Sequence, residues 1–152
     1  MDQGPAIGFR SVKAAKGGFF DRAAVAAAMD RVTRRVLSRF GAYVRASARN
    51  SLHRRNGTSA PGSPPFSHVG LLRQFIFFSW DQDRRSVVIG PAKLNGRASQ
   101  DAPQALEFGG RFQRRTRSGA HVAHYPARPF MGPAFATTLP KLPRMWAEAL
   151  SK

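Results

Sequence analysis

The chain has 152 residues, 42% of them apolar and including 12 Phe and 2 Trp; that is one domain's length, with material to bury about 70% of the unfolded surface, so global disorder is excluded. It has no cysteine, which excludes disulfides, thiol nucleophiles and zinc sites built on Cys pairs. Its 25 Lys and Arg against 8 Asp and Glu give a net charge of +17, and 20 of the basic residues are Arg, whose planar fork of donors suits phosphate and carboxylate and points to an acidic partner, nucleic acid or protein.

The charge is unevenly placed. Residues 1–60 hold 12 basic and 3 acidic side chains, residues 61–110 hold 5 and 4, and residues 111–152 hold 8 and 1. A nearly neutral middle between two basic flanks fits a core segment with two basic elements, and not a uniformly coated nucleic-acid binder. The longest apolar run, Ala23 to Met29, is too short for a membrane span and follows no signal-peptide pattern, so a soluble chain made in the cytoplasm is expected.

Residues 1–18 mix Gly, small and basic residues and form an arm, with a short edge strand expected over Ala6 to Val12. Asp21 is a helix N-cap after Gly17-Gly18, and from there to about Leu52 the only breaker is Gly41, which predicts one long amphipathic helix. At 100° per residue, Val25, Met29, Val32, Val36, Phe40 and Tyr43 share a stripe about 80° wide that Ser47 continues, predicted to face the core. Arg31, Arg34, Arg35, Arg45 and Arg49 share the opposite side, with Arg39 between. Such a row is either a solvated face or a docking face, and with only Asp21 and Asp30 as acids in the helix few salt bridges are open to it.

Residues 54–68, with three Pro, two Gly and three Ser after Arg54-Arg55, predict a flexible loop; loops of this length inside one domain commonly carry function. Leu71 to Trp80 and Ser86 to Gly90 predict strands of a hairpin turned at 81–84, followed by a second polar loop over 91–101. Ala102 to Phe108 predicts two helical turns stopped by Gly109-Gly110. Arg111 to Thr116 and His121 to Tyr125 predict a second hairpin, turned by Arg117-Ser118-Gly119. Ala134 to Leu150 predicts a helix broken near Pro140 and Pro143. The expected fold class is α+β in a single domain: a long N-terminal helix and a C-terminal helix packed on a small antiparallel sheet.

No constellation for catalysis or for a cofactor stands out. Asp81 and Asp83 read as a turn signature, and the other acids are scattered. His121 and His124 fall on opposite faces of a strand and cannot share a metal. No nucleophile elbow, zinc-protease or phosphate-loop motif is present, and no zinc finger, RNP pattern or GxxG clamp. A basic nucleic-acid-binding protein remains the alternative function, and a small ribonuclease a distant one.

Three segments occur in a telling order: Pro64-Pro65 with Ser67-His68-Val69-Gly70-Leu71-Leu72-Arg73, then Ala105-Leu106-Glu107-Phe108-Gly109, then Ala127-Arg128-Pro129-Phe130-Met131-Gly132-Pro133-Ala134. Over residues 19–139 the chain resembles the siphophage neck family, the tail-completion or head–tail joining proteins of tailed bacteriophages; it departs from that pattern in Pro140, Pro143 and its high Arg content. The resemblance implies a non-enzymatic virion protein assembled as a homo-oligomeric ring, expected to be a hexamer, between the head-side connector and the tail, without membrane or cofactor. Its partners would be the adjacent head-completion or connector ring and the tail-tube or tail-terminator ring, and it leaves open which neck ring this is.

On that reading Gly70 and Gly109 permit turns that a Cβ opposes, and Glu107 pairs with Arg128, within a subunit or across subunits, to tie the short helix to the last one. Subunit or ring contacts are expected at Arg31, Arg34, Arg35, Arg45, Arg49, Arg54, Arg55, Glu107, Phe108, Gly109, Arg128, Pro129 and Phe130. Arg114, Arg115 and Arg117 are expected at the lumen or on passing DNA. Copies at +17 repel, so neighbours must neutralise them; acidic protein rings are favoured, packaged DNA is the alternative.

Overall fold

A computed structural model describes residues 21–92, 102–116 and 119–151; the expected arm, the strand over Ala6 to Val12 and Arg117 lie outside the described residues. Helix α1, Arg22–Ser51, runs for 30 residues, and the Asp21 carboxylate accepts from the Ala24 N–H (3.0 Å) to cap it. A one-turn helix α2 (Leu71–Gln74) precedes a hairpin of β1 (Ile76–Asp81) and β2 (Ser86–Pro91). Helix α3 (Ala102–Phe108) leads into a second hairpin, β3 (Gly110–Thr116) and β4 (Gly119–Tyr125). The chain closes with α4 (Met131–Thr138), a 3₁₀ turn (Leu139–Lys141) and α5 (Leu142–Leu150). The class is α+β, and the last helix breaks where Pro140 and Pro143 stand, since neither supplies a backbone N–H.

The strands do not join into one small sheet as expected: they make two separate antiparallel hairpins. The first pairs Ile76 with Pro91 and Asp81 with Ser86, and Asp81 Oδ1 accepts from the Asp83 and Arg84 N–H groups to make the turn. Its first strand begins at Ile76 rather than Leu71 because Gly70, at φ 79°, starts the α2 turn instead. The second pairs Gly110 with Tyr125 and Arg114 with His121. None of its described side chains is buried, so it adds little to the core.

The core is built on the C-terminal half of α1. Val36, Phe40, Val44, Ala48 and Leu52 pack with Ile76 from β1, Phe130 and Ala134 at α4, and Met145 from α5. Phe40 meets Phe135 edge to face at 5.6 Å. Gly41 lets the first hairpin lie close: a Cβ there would stand 2.9 Å from Val87 Cγ2 and 3.1 Å from the Phe78 ring. Arg45 Nε donates to the Ile76 carbonyl (2.8 Å), and Arg85 at the hairpin's tip lies 3.5 Å from Asp30. The hairpin thus runs along α1.

Close approach on the Gly41 side shifts the buried stripe onto Val44 and Ala48 and away from the expected Tyr43 and Ser47. Tyr43 is exposed and lies between the Arg39 guanidinium (5.9 Å) and Lys141 Nζ (5.5 Å). The N-terminal part of the expected stripe is not in the core either: Val25 is 53% and Met29 44% exposed, because no described layer reaches that far along the helix. Across the α1–α5 contact, Glu148 bonds Arg144 (2.9 Å) and Arg39 (3.3 Å). The Arg144 hydrogen bond, with Arg39 beside it, holds the Glu148 carboxyl below its ordinary range, so this tie is present at neutral pH and disappears as pH falls through that lowered value.

These placements separate two residues of one sequence stripe. Phe40→Ala is expected to lower stability by about 3–5 kcal/mol, and Met29→Ala to change it by no more than about 0.5 kcal/mol; urea unfolding of the dilute protein measures both.

Candidate docking site

Glu107 sits in the last turn of α3, and its carboxylate faces the start of α4. Oε2 accepts from the N–H groups of Phe130 (2.9 Å) and Met131 (3.0 Å), and Oε1 from that of Gly132 (2.7 Å). The first turn of a helix has N–H groups without intrahelical partners and a partial positive charge, and a carboxylate answers both. Phe130 offers no side-chain cap of its own. A residue 23 positions upstream caps α4 instead.

The expected Glu107–Arg128 ion pair is therefore absent within the chain, because backbone N–H groups take the carboxylate. Arg128 turns the other way, its Nε donating to the Ser59 carbonyl (2.9 Å) and its backbone N–H to the Leu106 carbonyl (2.6 Å). The loop over 54–68 forms no helix or strand, as expected, but is tied down: Gly62 N–H donates to Ala127 O (2.8 Å) and Ser67 N–H to His53 O (3.0 Å), with Ser59, Pro65 and Ser67 buried. Gly109 completes the junction at φ +66°, where a Cβ would lie 2.7 Å from the Ala127 nitrogen and 2.8 Å from the Tyr125 carbonyl oxygen. Only glycine fits both demands.

This junction holds α3 beside α4, and between them and the first hairpin opens a groove of about 750 Å³. Val44 of α1 and Leu72 of α2 line it, with Val87 and Ile89 of β2, Leu106 and Phe108 of α3, and Phe130, Met131 and Phe135 at α4. Glu107 is the one charged side chain among its described lining residues, and both of its oxygens are engaged. Phe108 is 76% exposed at the rim. Among the described residues no histidine, acid pair or hydroxyl converges there, and no three His, Cys, Asp or Glu side chains cluster to hold a metal. An exposed apolar groove of this kind marks a surface for contact with another protein, a membrane or a small ligand.

The remaining site residues divide. Phe108, Phe130 and Glu107 come together at the groove, while Gly109, Arg128 and the half-buried Pro129 belong to the junction behind it. Arg45 is taken up by Ile76 and lies over the Phe77 ring at 5.9 Å, and Arg55 lies over Phe66 at 5.6 Å. Arg31, Arg34, Arg35 and Arg49 stay on the outer face of α1 and, like the exposed Arg54, make no ion pair or side-chain hydrogen bond among the described residues. Arg114 and Arg115 lie in β3, in register with His121 and Ala120.

Two features escape the sequence. The groove draws on segments far apart in the chain that only tertiary packing brings together, and Glu107 as a remote cap has no local signature. Comparison of the chain with protein-family models, curated proteins and solved structures finds no match.

Glu107→Ala leaves three N–H groups of α4 without their acceptor and is expected to cost about 2–4 kcal/mol, with Glu107→Gln, still able to accept through one oxygen, nearer half of that. Gly109→Ala is expected to cost at least about 2 kcal/mol. Chemical denaturation of the three variants measures these values.

Proposed function

We propose that this chain is a structural subunit of a ring in the neck of a tailed bacteriophage, joining the head-side connector to the tail by docking and not by catalysis. Support for the family comes from the three segments whose order resembles the neck proteins. All three contribute to one groove: Leu72 from the first, Leu106, Glu107 and Phe108 from the second, and Phe130, Met131 and Gly132 from the third.

The ring itself is carried by one observation: the chain's apolar groove and its uncovered apolar helix stripe sit on the same rigid rod. Val25 and Met29 are exposed, and with the half-buried Val32 they form an i, i+4, i+7 row of the kind that helices lay into grooves. Val44, which lines the groove, is 15 residues beyond Met29, about 22 Å along a helix that rises about 1.5 Å per residue. One chain cannot seat its own stripe in its own groove. Between copies the two surfaces are different and both apolar, which allows a head-to-tail contact, and such contacts make a ring where the rotation between copies closes.

Charge favours the same two surfaces. In a chain of +17, residues 23–29 are uncharged and the groove has no basic lining residue among the described residues, so these are places where copies approach with little repulsion. The basic surfaces outside the contact are then left for acidic partners of the ring.

Complementary variants test this reading, since Met29 and Phe108 are both exposed and neither change threatens the core. Met29→Glu blocks the stripe and Phe108→Lys blocks the groove. Each variant alone is expected to sediment as a monomer under conditions where the parent chain forms a closed oligomer. Mixed in equal amounts they are expected to give 1:1 dimers and nothing larger, because one intact stripe and one intact groove remain. A parent chain that stays monomeric at high concentration, or a mixture that does not pair, overturns the proposal.

A further inference from the structure

We infer that the outer face of α1 binds the phosphate backbone of duplex DNA, without reading its sequence. This stands independently of the ring, because the face lies on the side of the helix away from the Val25–Met29 stripe.

The face is defined by what its arginines do not do. Of the five helix arginines on this side, Arg45 is held by the Ile76 carbonyl and the Phe77 ring. Arg31, Arg34, Arg35 and Arg49 have no ionic partner among the described residues. Asp30, the nearest acid in the helix, lies 3.5 Å from Arg85 on the hairpin's tip. From Arg31 to Arg49 the row is about 27 Å long on a straight helix. A concentration of uncompensated guanidinium groups on a rigid rod demands a polyanion of comparable length.

The residues between the arginines decide which polyanion. The small residues Ser38 and Ala42 lie among the arginines of the face, so the helix axis can come close to a smooth backbone. Protein interfaces are anchored by buried aromatic or large aliphatic side chains, and the helix itself places none between these arginines, Phe77 of β1 lying at the edge beneath Arg45. Single strands are held by bases stacked on rows of aromatics, and the only aromatic beside this face among the described residues is Phe77 of β1, whose ring Arg45 already overlies. What is left is charge on a regular lattice, which matches duplex phosphates. With no side chain placed to read base edges, binding is independent of sequence.

The test uses the full-length chain and a mixed-sequence duplex of about three helical turns, with anisotropy titrations over a range of salt. Arg31→Gln/Arg34→Gln/Arg35→Gln removes three exposed charges from the face. Arg73→Gln/Arg84→Gln/Arg111→Gln removes three exposed charges elsewhere and leaves the same net charge. The slope of log affinity against log salt is expected to fall by about 2–3 in the first variant, near 0.9 for each phosphate no longer neutralised, with at least a tenfold drop in affinity at moderate salt. The second is expected to change affinity less than threefold. Equal weakening of the two variants, no binding by the parent chain, or tighter binding of oligo-dT or poly-glutamate than of duplex overturns the inference. A chain that grips duplex through this face yet never oligomerises refutes the ring and leaves this inference standing.

Discussion

The two oxygens of Glu107 satisfy three backbone N–H groups at the start of α4, and most of what lies around the groove follows from that contact. It fixes α3 against α4, so that Leu106 and Phe108 stand on one side of an open channel and Met131 and Phe135 on the other. It directs Phe130, 1% exposed, into the core. It also leaves Arg128 to hold the 54–68 loop by the Ser59 carbonyl. Charged acceptors on a helix N-terminus are among the stronger hydrogen bonds available, and here the carboxylate belongs to an element at the opposite rim of the groove it shapes. The left-handed Gly109, pressed on Ala127 and Tyr125, makes the geometry possible.

Helix α1 serves as a beam with three uses along and around it. Its C-terminal half carries the core on Val36, Phe40, Val44 and Ala48, and Gly41 admits the first hairpin. Its N-terminal turns keep Val25 and Met29 uncovered, and its outer face keeps four arginines without an ionic partner among the described residues. A helix stabilised over half its length by packing can extend its other half as a rigid presentation surface, since propagation of a formed helix is far easier than its nucleation.

Much of the fold was legible because its signals are local. Asp21 caps where an Asp before an apolar-periodic run should, Asp81 makes its turn, and Pro140 and Pro143 break the last helix. Periodicity put Val25 and Met29 on the same stripe as Val36 and Phe40, but periodicity does not state how far the opposing layer reaches, and only the latter two are buried. Nor does it decide whether two hairpins share a sheet; here they do not. Glu107 was legible as the residue that ties α3 to the last helix, yet its partner is backbone, which no charge pattern reveals. The groove was not legible at all, since its lining residues are spread from Val44 to Phe135.

The proposed ring requires that one surface of this chain dock into a different surface of the next copy. The absence of cysteine gives a clean background for a direct measurement: Met29→Cys, Phe108→Cys and the double variant, each treated with a short bismaleimide linker and separated under denaturing conditions. The double variant is expected to form a ladder of linked chains that stops at the ring's copy number, while each single variant stays unlinked because like surfaces do not meet. Linkage within a single variant, or a double variant that remains monomeric, would contradict head-to-tail docking.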